Sequence, residues 1–359
     1  MNVVVCGAGV IGAACAYYLA LRGARVTVVE SVGVACAASG KSGGFLARDW
    51  CDNTPQQSLA RLSFTLHQEL AGALGSDYGY RPVTTRLVVA SERRDVSAHA
   101  RIPSPAWLDG GAAIANTLGD TGNTAQLEPA LFTRALLDAA CERGARLCTG
   151  RVESVVRDDG GRARGVLVNG RPEPAEAVIL ALGPWTGCLA DALGLPPIAG
   201  LKGYSVVLQP TRPAPAEALF LDYETASGLR HSPEVVSRAD GSVYVCGIGD
   251  TERPPDDPSR VSVDDDACME LARLAGELAS GLKDARIVRK QACYRPVFYD
   301  AMPVMGECPG MKGAFVATGH NCWGMLNAPA SGLAMSELVL DARARSVDLS
   351  PFSPERGMG

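Results

Sequence analysis

Hydrophobic and polar positions follow the most regular pattern at the start of the chain. Asn2 to Cys6 is a short β-branched run that predicts a buried parallel strand, and apolar residues recur with a helical period from Val10 to Leu21. A second β run follows directly, from Arg25 to Val29. This order of strand, helix and strand predicts a βαβ unit within the first thirty residues.

Three glycines follow the first predicted strand with the spacing G-x-G-x-x-G. Gly7 permits the tight turn from strand to helix, Gly9 lets backbone approach a pyrophosphate, and Gly12 lets the helix pack on the strand. The helix N-terminus adds unpaired N–H groups and a partial positive charge. Glu30, at the end of the second strand, is placed to accept ribose hydroxyls. Together these features favour a dinucleotide site over a glycine-rich turn that binds no nucleotide.

The rest of the chain divides into helix and strand candidates, and beyond residue 200 the strands alternate as in a separate antiparallel sheet. Residues 91–126 lose periodicity, which predicts a surface excursion or part of a small domain. The predicted helices are Leu59–Leu74, Pro129–Glu142, Val263–Ala279 and Ala328–Leu340. The predicted strands are Tyr80–Ala90, Arg146–Arg157, Arg164–Val168, Ala177–Leu182, Ser205–Gln209, Leu219–Tyr223, Ser242–Gly247, Ala285–Cys293 and Gly313–Thr318.

A long segment of small residues, 31–55, reads as neither amphipathic helix nor strand. At its centre stands Ser39-Gly40-Lys41-Ser42-Gly43-Gly44, a stretch that can wrap backbone closely around a ligand. A flexible surface loop is the alternative. A loop after the second strand of a βαβ unit lies beside the nucleotide, and this position favours the ligand.

Composition narrows the class of protein. The 359 residues include 47% hydrophobic and 20% charged residues, as in globular proteins, and the net charge of −5 makes nucleic acid an unexpected partner. No apolar run is long enough for a membrane span. The first strand begins at Asn2, which leaves no room for a signal peptide and predicts a cytoplasmic location. Twelve scattered cysteines without C-x-x-C, beside four histidines, predict buried small residues and no metal site.

Five ordered motifs carry a family resemblance over nearly the whole chain: the opening CGAGVIGAACAYYLALRGARVTVVE, the SGKSGG loop, ILALGPW, YRPVFYDAMPVMG and VATGHNCWGMLNAPASG. The chain resembles the FAD-dependent D-amino-acid oxidase, glycine oxidase and sarcosine oxidase family, in a branch marked by SGKSGG and GHNCWG. The resemblance implies an α/β fold, with a Rossmann-like FAD-binding domain and a second, mainly antiparallel-sheet substrate domain (α+β). The expected FAD-binding domain comprises residues 1–80, 127–200 and 286–350, the substrate-binding domain 81–126 and 201–285, and a C-terminal tail 351–359.

The resemblance also implies how FAD lies. Its ribose meets Glu30, its pyrophosphate meets the glycine turn and the SGKSGG loop, and its flavin ring lies near residues 320–325. The C-terminal helix then points its N-terminus at the pyrimidine end of the flavin, where negative charge develops on reduction. With the resemblance added, the predicted cofactor-binding residues are Gly7, Gly9, Val10, Ile11, Gly12, Glu30, Ser39, Gly40, Lys41, Ser42, Gly43, Gly44, Val152, Gly183, Trp185, Cys293, Gly319, His320, Asn321, Cys322, Trp323, Gly324 and Met325.

Four residues bear on the implied chemistry. Arg295 matches the arginine that clamps the substrate carboxylate in the family, with a surface salt bridge as the alternative. Cys293 aligns with the cysteine that forms a thioether to flavin in sarcosine oxidase-like members, and a buried packing residue is the alternative. Lys41 is a candidate cation for oxygen reduction, or it simply binds phosphate or solvent. His320 is either a flavin contact or a structural histidine in a turn.

The implied reaction is oxidation of an amino-acid C–N bond, in a D-amino acid, glycine or an N-substituted glycine. Hydride passes to flavin N5, the imine hydrolyses to an oxo acid and an amine, and oxygen reoxidises the flavin to give hydrogen peroxide. The expected partners are therefore a small amino acid and molecular oxygen. The alternatives are an FAD-dependent amino-acid dehydrogenase with another electron acceptor, and a non-catalytic flavoprotein that serves in assembly or trafficking.

Overall fold

The opening βαβ unit forms as the sequence predicts. The structure is a computed structural model that describes residues 1–357. Strand β1 (Asn2–Cys6) pairs in parallel with β2 (Arg25–Glu30), and helix α1 (Val10–Leu21) connects them. Helix α1 is buried on nearly all sides, which explains its small side chains and its weak amphipathic pattern.

The other strands, numbered in chain order, share four sheets within the described residues. They are β3 (Phe45–Ala47), β4 (Arg81–Pro82), β5 (Thr84–Ser91), β6 (Ala112–Gly119), β7 (Thr124–Gln126), β8 (Arg146–Thr149), β9 (Val152–Arg157), β10 (Ala163–Val168), β11 (Arg171–Pro174), β12 (Ala177–Leu180), β13 (Ala199–Gln209), β14 (Glu217–Glu224), β15 (Arg230–His231), β16 (Glu234–Ser237), β17 (Val243–Ile248), β18 (Arg286–Val297), β19 (Val304–Glu307) and β20 (Ala314–Thr318).

The remaining helices pack on these sheets, and short 3-10 turns connect several elements, among them Gly183–Leu189, Pro258–Arg260 and Asn321–Trp323. The helices are α2 (Ala38–Lys41), α3 (Gln57–Ala73), α4 (Pro129–Glu142), α5 (Ala190–Leu193), α6 (Asp265–Leu278), α7 (Ser280–Lys283) and α8 (Gly324–Asp341).

A six-stranded sheet in the order β19-β20-β12-β1-β2-β8 carries the βαβ unit. All its pairs are parallel except β19 with β20, and its inner strands are buried on both faces. Helices α1, α4 and α8 cover one face, where Gly332 of α8 lies so close to Ala14 of α1 that a side chain at 332 would clash. The three-stranded sheet β11-β10-β9 packs on the other face.

The second large sheet has eight strands, β18-β13-β17-β16-β14-β5-β6 with β15 beside β14. It is antiparallel apart from the β14–β5 pair, so the mixed α/β fold with a mainly antiparallel second sheet is confirmed. Helix α6 buries its apolar face on this sheet, with Leu271 and Leu274 fully covered. A small sheet, β3-β7-β4, adds a further three strands.

The structure corrects several predicted boundaries. The single strand predicted over Arg146–Arg157 is wrong: β8 pairs with β2, whereas β9 pairs with β10, because the chain turns at Gly150. The final helix begins at Gly324 and continues through Pro329, not at residue 328. The aperiodic segment 91–126 contains β6 and β7, and the small-residue segment contains the short helix α2.

The predicted domain division stays a prediction, and one strand bears on it. β18 begins at the expected boundary of 285/286, yet it pairs with β13 of the eight-stranded sheet from Arg286 to Val297. This strand therefore extends the antiparallel sheet before the chain returns to the six-stranded sheet. In the predicted tail, Phe352 is buried, and residues 358–359 lie outside the described residues.

Candidate active site

A cavity of about 590 Å³ lies between the two large sheets. Its wall includes Gly7 and Glu30 from the βαβ unit, Arg295 from β18, and Trp323 at the start of α8. Small-molecule sites commonly measure about 300–1,000 Å³ and combine apolar walls with a few polar groups. The cavity has this size and composition.

The βαβ side of the cavity has the features that a dinucleotide requires. The Glu30 carboxylate accepts hydrogen bonds from the backbone N–H groups of Ala8 and Val32, both at 2.9 Å, which fixes its orientation. Gly7 has φ +104°, and a Cβ there would lie 2.5 Å from the Ala181 carbonyl oxygen. The glycine turn thus presents bare backbone and the N-terminus of α1 to the cavity, and both fit a pyrophosphate.

Contacts from helix α1 and from the eight-stranded sheet fix the loop Ser39–Gly44. Ser39 Oγ accepts from Val10 N–H at 2.9 Å, Lys41 Nζ donates to the Ala292 carbonyl at 3.0 Å, and Arg238 Nη2 donates to the Ser42 carbonyl at 3.0 Å. Gly43 packs against the Tyr244 ring, where a Cβ would lie 3.1 Å from the ring carbons. The loop therefore presents backbone to the cavity from an anchored position.

The opposite side of the cavity is formed by the N-terminus of α8. Trp323, Gly324 and Met325 line it, so the positive end of the helix dipole lies at the wall. His320 lines the cavity as well, but its Nε2 lies 3.0 Å from Ser331 Oγ, and complete burial lowers its pKa to about 3. The ring of His320 is therefore buried and neutral, and its assignment to the flavin stays a prediction.

His67 of α3 supports this helix at an unusual point. Pro329 has no N–H group to donate to the Met325 carbonyl, four residues before it. His67 Nε2 replaces that donor, at 3.0 Å from Met325 O and 3.1 Å from Leu326 O. Ser63 Oγ then accepts from Ala330 N–H at 3.1 Å. Helix α8 can therefore extend through its proline to the cavity.

Arg295, Cys293 and Glu234 line the region of the cavity next to the eight-stranded sheet. Within residues 1–357, the Arg295 guanidinium forms no hydrogen bond and no ion pair within 4.0 Å. Burial raises the pKa of the Cys293 thiol, and the nearby charges of Lys41 and Arg295 partly offset the rise. The surface salt bridge considered for Arg295 does not form among the described residues.

Most predicted cofactor residues do line the cavity, and five do not: Gly12, Gly40, Lys41, Val152 and Gly319. Three of them have clear packing reasons. Gly12 is pressed against the Gly7 carbonyl, Lys41 turns to Ala292, and Val152 lies on β9, in the sheet behind β12. Their assignment to the cofactor stays a prediction.

Several cavity residues escaped sequence reasoning: Trp50, Phe220, Glu234, Tyr244 and Cys246. Lys202 is 2% exposed, donates to Ser262 Oγ at 3.0 Å and pairs with Glu252. The pattern of strands after residue 200 indicated an antiparallel sheet. It did not indicate which face of that sheet would lie toward the βαβ unit.

A metal-binding cluster and a membrane-spanning helix are both absent from the described part of the chain. Residues 1–357 contain no group of three or more His, Cys, Asp or Glu side chains that could hold a metal ion. Nor do they contain a helix with the length and apolar character needed to cross a membrane.

Comparison with known proteins identifies similar chains. The family model described as FAD dependent oxidoreductase (DAO) matches residues 2–338. A protein of Schizosaccharomyces pombe, named only as an oxidoreductase, is 30% identical over 99% of this chain and 98% of its own. The glycine oxidase of Geobacillus kaustophilus is 29% identical over 100% of this chain and 97% of its own. The crystal structure of glycine oxidase from Geobacillus kaustophilus has a TM-score of 0.80 at 24% identity, covering 99% of both chains.

Proposed function

The chain belongs to the family of FAD-dependent oxidoreductases, and from that premise we propose that it oxidises the C–N bond of a small amino acid. The substrate class is a D-amino acid, glycine or an N-substituted glycine, and the product imine hydrolyses to an oxo acid and an amine. FAD, when bound, supplies the two-electron acceptor. The similarity to glycine oxidase over the full chain supports this class.

The observation that carries the proposal is the unpaired guanidinium of Arg295. A half-buried cation that lines a cavity without an anionic partner is suited to an anionic ligand. Guanidinium offers two parallel N–H donors to a carboxylate, which fixes both the position and the orientation of the substrate. An open cavity at Arg295 also favours turnover over a non-catalytic role.

The residues proposed to hold FAD fall into three groups. Glu30 accepts the ribose hydroxyls, and the backbone of Gly7 and Gly9 with the α1 N-terminus binds the pyrophosphate. Gly43, Gly44 and residues 320–325 surround the flavin ring. The N-terminus of α8 favours negative charge at this end of the cavity. Lys41 contributes by tying the loop to β18 through Ala292.

Screening the purified protein anaerobically against amino acids tests this function. We expect bound FAD, identified by mass spectrometry, and bleaching of its absorbance by at least one small amino acid. Oxygen consumption with formation of hydrogen peroxide then separates the proposed oxidase from a dehydrogenase that needs another acceptor. Finding a nicotinamide nucleotide as the only cofactor, or no bleaching by any amino acid, would contradict the proposal.

We expect FAD to be held without a covalent bond to Cys293. The thiolate is the nucleophile in thioether formation, and burial raises the pKa of this thiol, which disfavours the thiolate. Acid precipitation of the holoenzyme should leave the yellow colour in the supernatant, both for the wild type and for Cys293→Ser. Colour that stays with the wild-type pellet and is released by Cys293→Ser would instead establish the covalent linkage.

The free cysteines support a cytoplasmic location. All twelve are unpaired, and Cys6, Cys15 and Cys268 are fully buried as small apolar residues. Unpaired thiols in this number suit a reducing compartment. A thiol titration of the freshly purified, denatured protein is expected to find all twelve free.

A further inference from the structure

We propose that Glu234 accepts a proton from the ammonium group of the substrate, so that Glu234 and Arg295 bind the two ends of a zwitterionic amino acid. This inference rests on the proposed function and names a proton acceptor for it. Arg295 is the partner for the carboxylate, and Glu234 is the partner for the amine.

Sheet register places Glu234 beside the substrate region. On β16 it pairs with Phe220 of β14 and with Cys246 of β17, and side chains at paired positions share one face of a sheet. All three residues line the cavity together with Arg295. No ion pair within 4.0 Å joins Glu234 to Arg295, so a gap separates the two charged groups.

Glu234 also differs from the other acidic and imidazole groups of the cavity wall in having room for a new partner. Glu30 and Glu234 are the carboxylates in the described cavity wall, and Glu30 already accepts hydrogen bonds from Ala8 and Val32. The His320 ring is buried against Ser331. Glu234 is the carboxylate on the same side as Arg295, with no N–H or O–H donor bonded to it among residues 1–357.

A substrate that binds as an ammonium ion must lose a proton before its C–N bond is oxidised. An α-amino acid near neutral pH carries an ammonium group, whose nitrogen has no lone pair. When one N–H bond breaks, its proton forms an O–H bond on Glu234 and its electron pair stays on nitrogen. That pair is then available to form the C=N bond, and FAD, when bound, would accept the two electrons of the Cα–H bond.

The surroundings of Glu234 suit this exchange. Burial raises the pKa of its carboxyl above the usual range, while Arg295 of β18 and the Cys246 thiol of β17 lower it in part. The other titratable groups that face it are Tyr244 of β17, Cys293 of β18 and Cys322 before α8. Because burial raises the pKa values of Tyr244 and Cys246 well above normal, both stay neutral. Glu234 is the group that changes charge.

The first test is the pH dependence of kcat/KM for Glu234→Gln holoenzyme with the amino acid that bleaches the flavin. At pH 7 we expect a loss on the order of a hundredfold, because the amide cannot accept the proton. Activity should recover toward the wild type above the pKa of the substrate amine, where the substrate arrives already neutral. Glu234→Asp should retain the wild-type shape of the profile, and Glu142→Gln, an exposed change at the end of α4, should leave it unchanged.

The second test does not need turnover. Acetate, a carboxylate without an amine, is titrated into the holoenzyme and its binding is followed by the change in flavin absorbance. Wild-type affinity should fall as pH rises through the pKa of Glu234, because the ionised carboxylate repels acetate. In Glu234→Gln the affinity should be higher at neutral pH and should lose this dependence.

The outcomes separate the two proposals. A Glu234→Gln enzyme with reduced activity at every pH, or with acetate binding that keeps the wild-type pH dependence, overturns the role of Glu234 and leaves the oxidation of amino acids intact. If acetate binding depends on Glu234 but no amino acid bleaches the flavin, the proposed reaction is wrong instead. If acetate binds neither protein, both assignments are wrong.

Discussion

Replacing Arg295 with leucine is expected to lower kcat/KM for an amino acid by at least ten- to a hundredfold and to leave FAD content unchanged. A charge-assisted hydrogen-bonded contact to a carboxylate contributes about 1.5–3 kcal/mol, and about 1.4 kcal/mol corresponds to a tenfold change in rate. Loss of the guanidinium also lets the reacting carbon move from its productive position, which adds to the effect. The expected effect therefore exceeds that of a single lost binding contact.

The measurement compares the amino acid with its decarboxylated amine. Arg295→Leu should lose activity toward the amino acid and show little change with the amine, while Arg295→Lys should recover part of the loss because it keeps the charge. Arg289→Leu is a matched control, since Arg289 is exposed on the same strand and does not line the cavity. Equal oxidation of amine and amino acid by the wild type, or loss of flavin in proportion to activity, would contradict the carboxylate role.

Local sequence patterns predicted the nucleotide side of the molecule well, because its determinants lie close together in the chain. The glycine spacing requires a tight turn, a close helix and exposed backbone within a few residues, and Glu30 follows at the end of the adjacent strand. The family resemblance added Arg295 and Cys293, which line the cavity. Their assignment to substrate and flavin stays a prediction.

The start of α8 could not be predicted, because it depends on a contact between distant residues. Pro329 is a signal for the first turn of a helix, which places the helix start near residue 328. The helix instead begins at Gly324, since His67 and Ser63 of α3 satisfy the backbone groups that the proline leaves unpaired. An imidazole 258 residues away in the chain thus positions the helix end that faces the cavity.

Glu234 was missed for a related reason. Its strand is only four residues long and follows Ser232 and Pro233, so no period of two is visible in the sequence. Its significance arises from pairing with Cys246 on one side and Phe220 on the other, and from the Arg295 guanidinium that shares the cavity. These residues meet because of the order of strands in the sheet, and a hydrophobic pattern in one sequence does not reveal that order.

The protein is expected to lose stability steeply between pH 6.5 and pH 5, by about 3 kcal/mol, because two buried histidines must stay neutral. Burial lowers the pKa of His67 from 6.5 to about 4 and that of His320 from 6.5 to about 3. Between these pKa values, the two histidines bind protons in the unfolded chain but not in the folded chain. Their stabilisation is complete above pH 6.5 and is lost as pH falls toward the folded pKa values. Burial raises the pKa of Glu128 and Glu234, which offsets part of the loss at the acid end.

Urea denaturation of the holoenzyme at constant excess FAD, followed by circular dichroism between pH 7.5 and pH 5, measures this dependence. Below pH 6.5 the slope from each buried histidine rises toward about 1.4 kcal/mol per pH unit, so His67→Gln and His320→Gln should each remove about half of the slope. Glutamine keeps an N–H donor for the Met325 carbonyl or for Ser331, which limits the loss at neutral pH. His99→Gln should keep the full slope because His99 is exposed. An unchanged slope in His67→Gln would mean that its imidazole gains protons in the folded state, and that its two hydrogen bonds to α8 do not require the neutral ring.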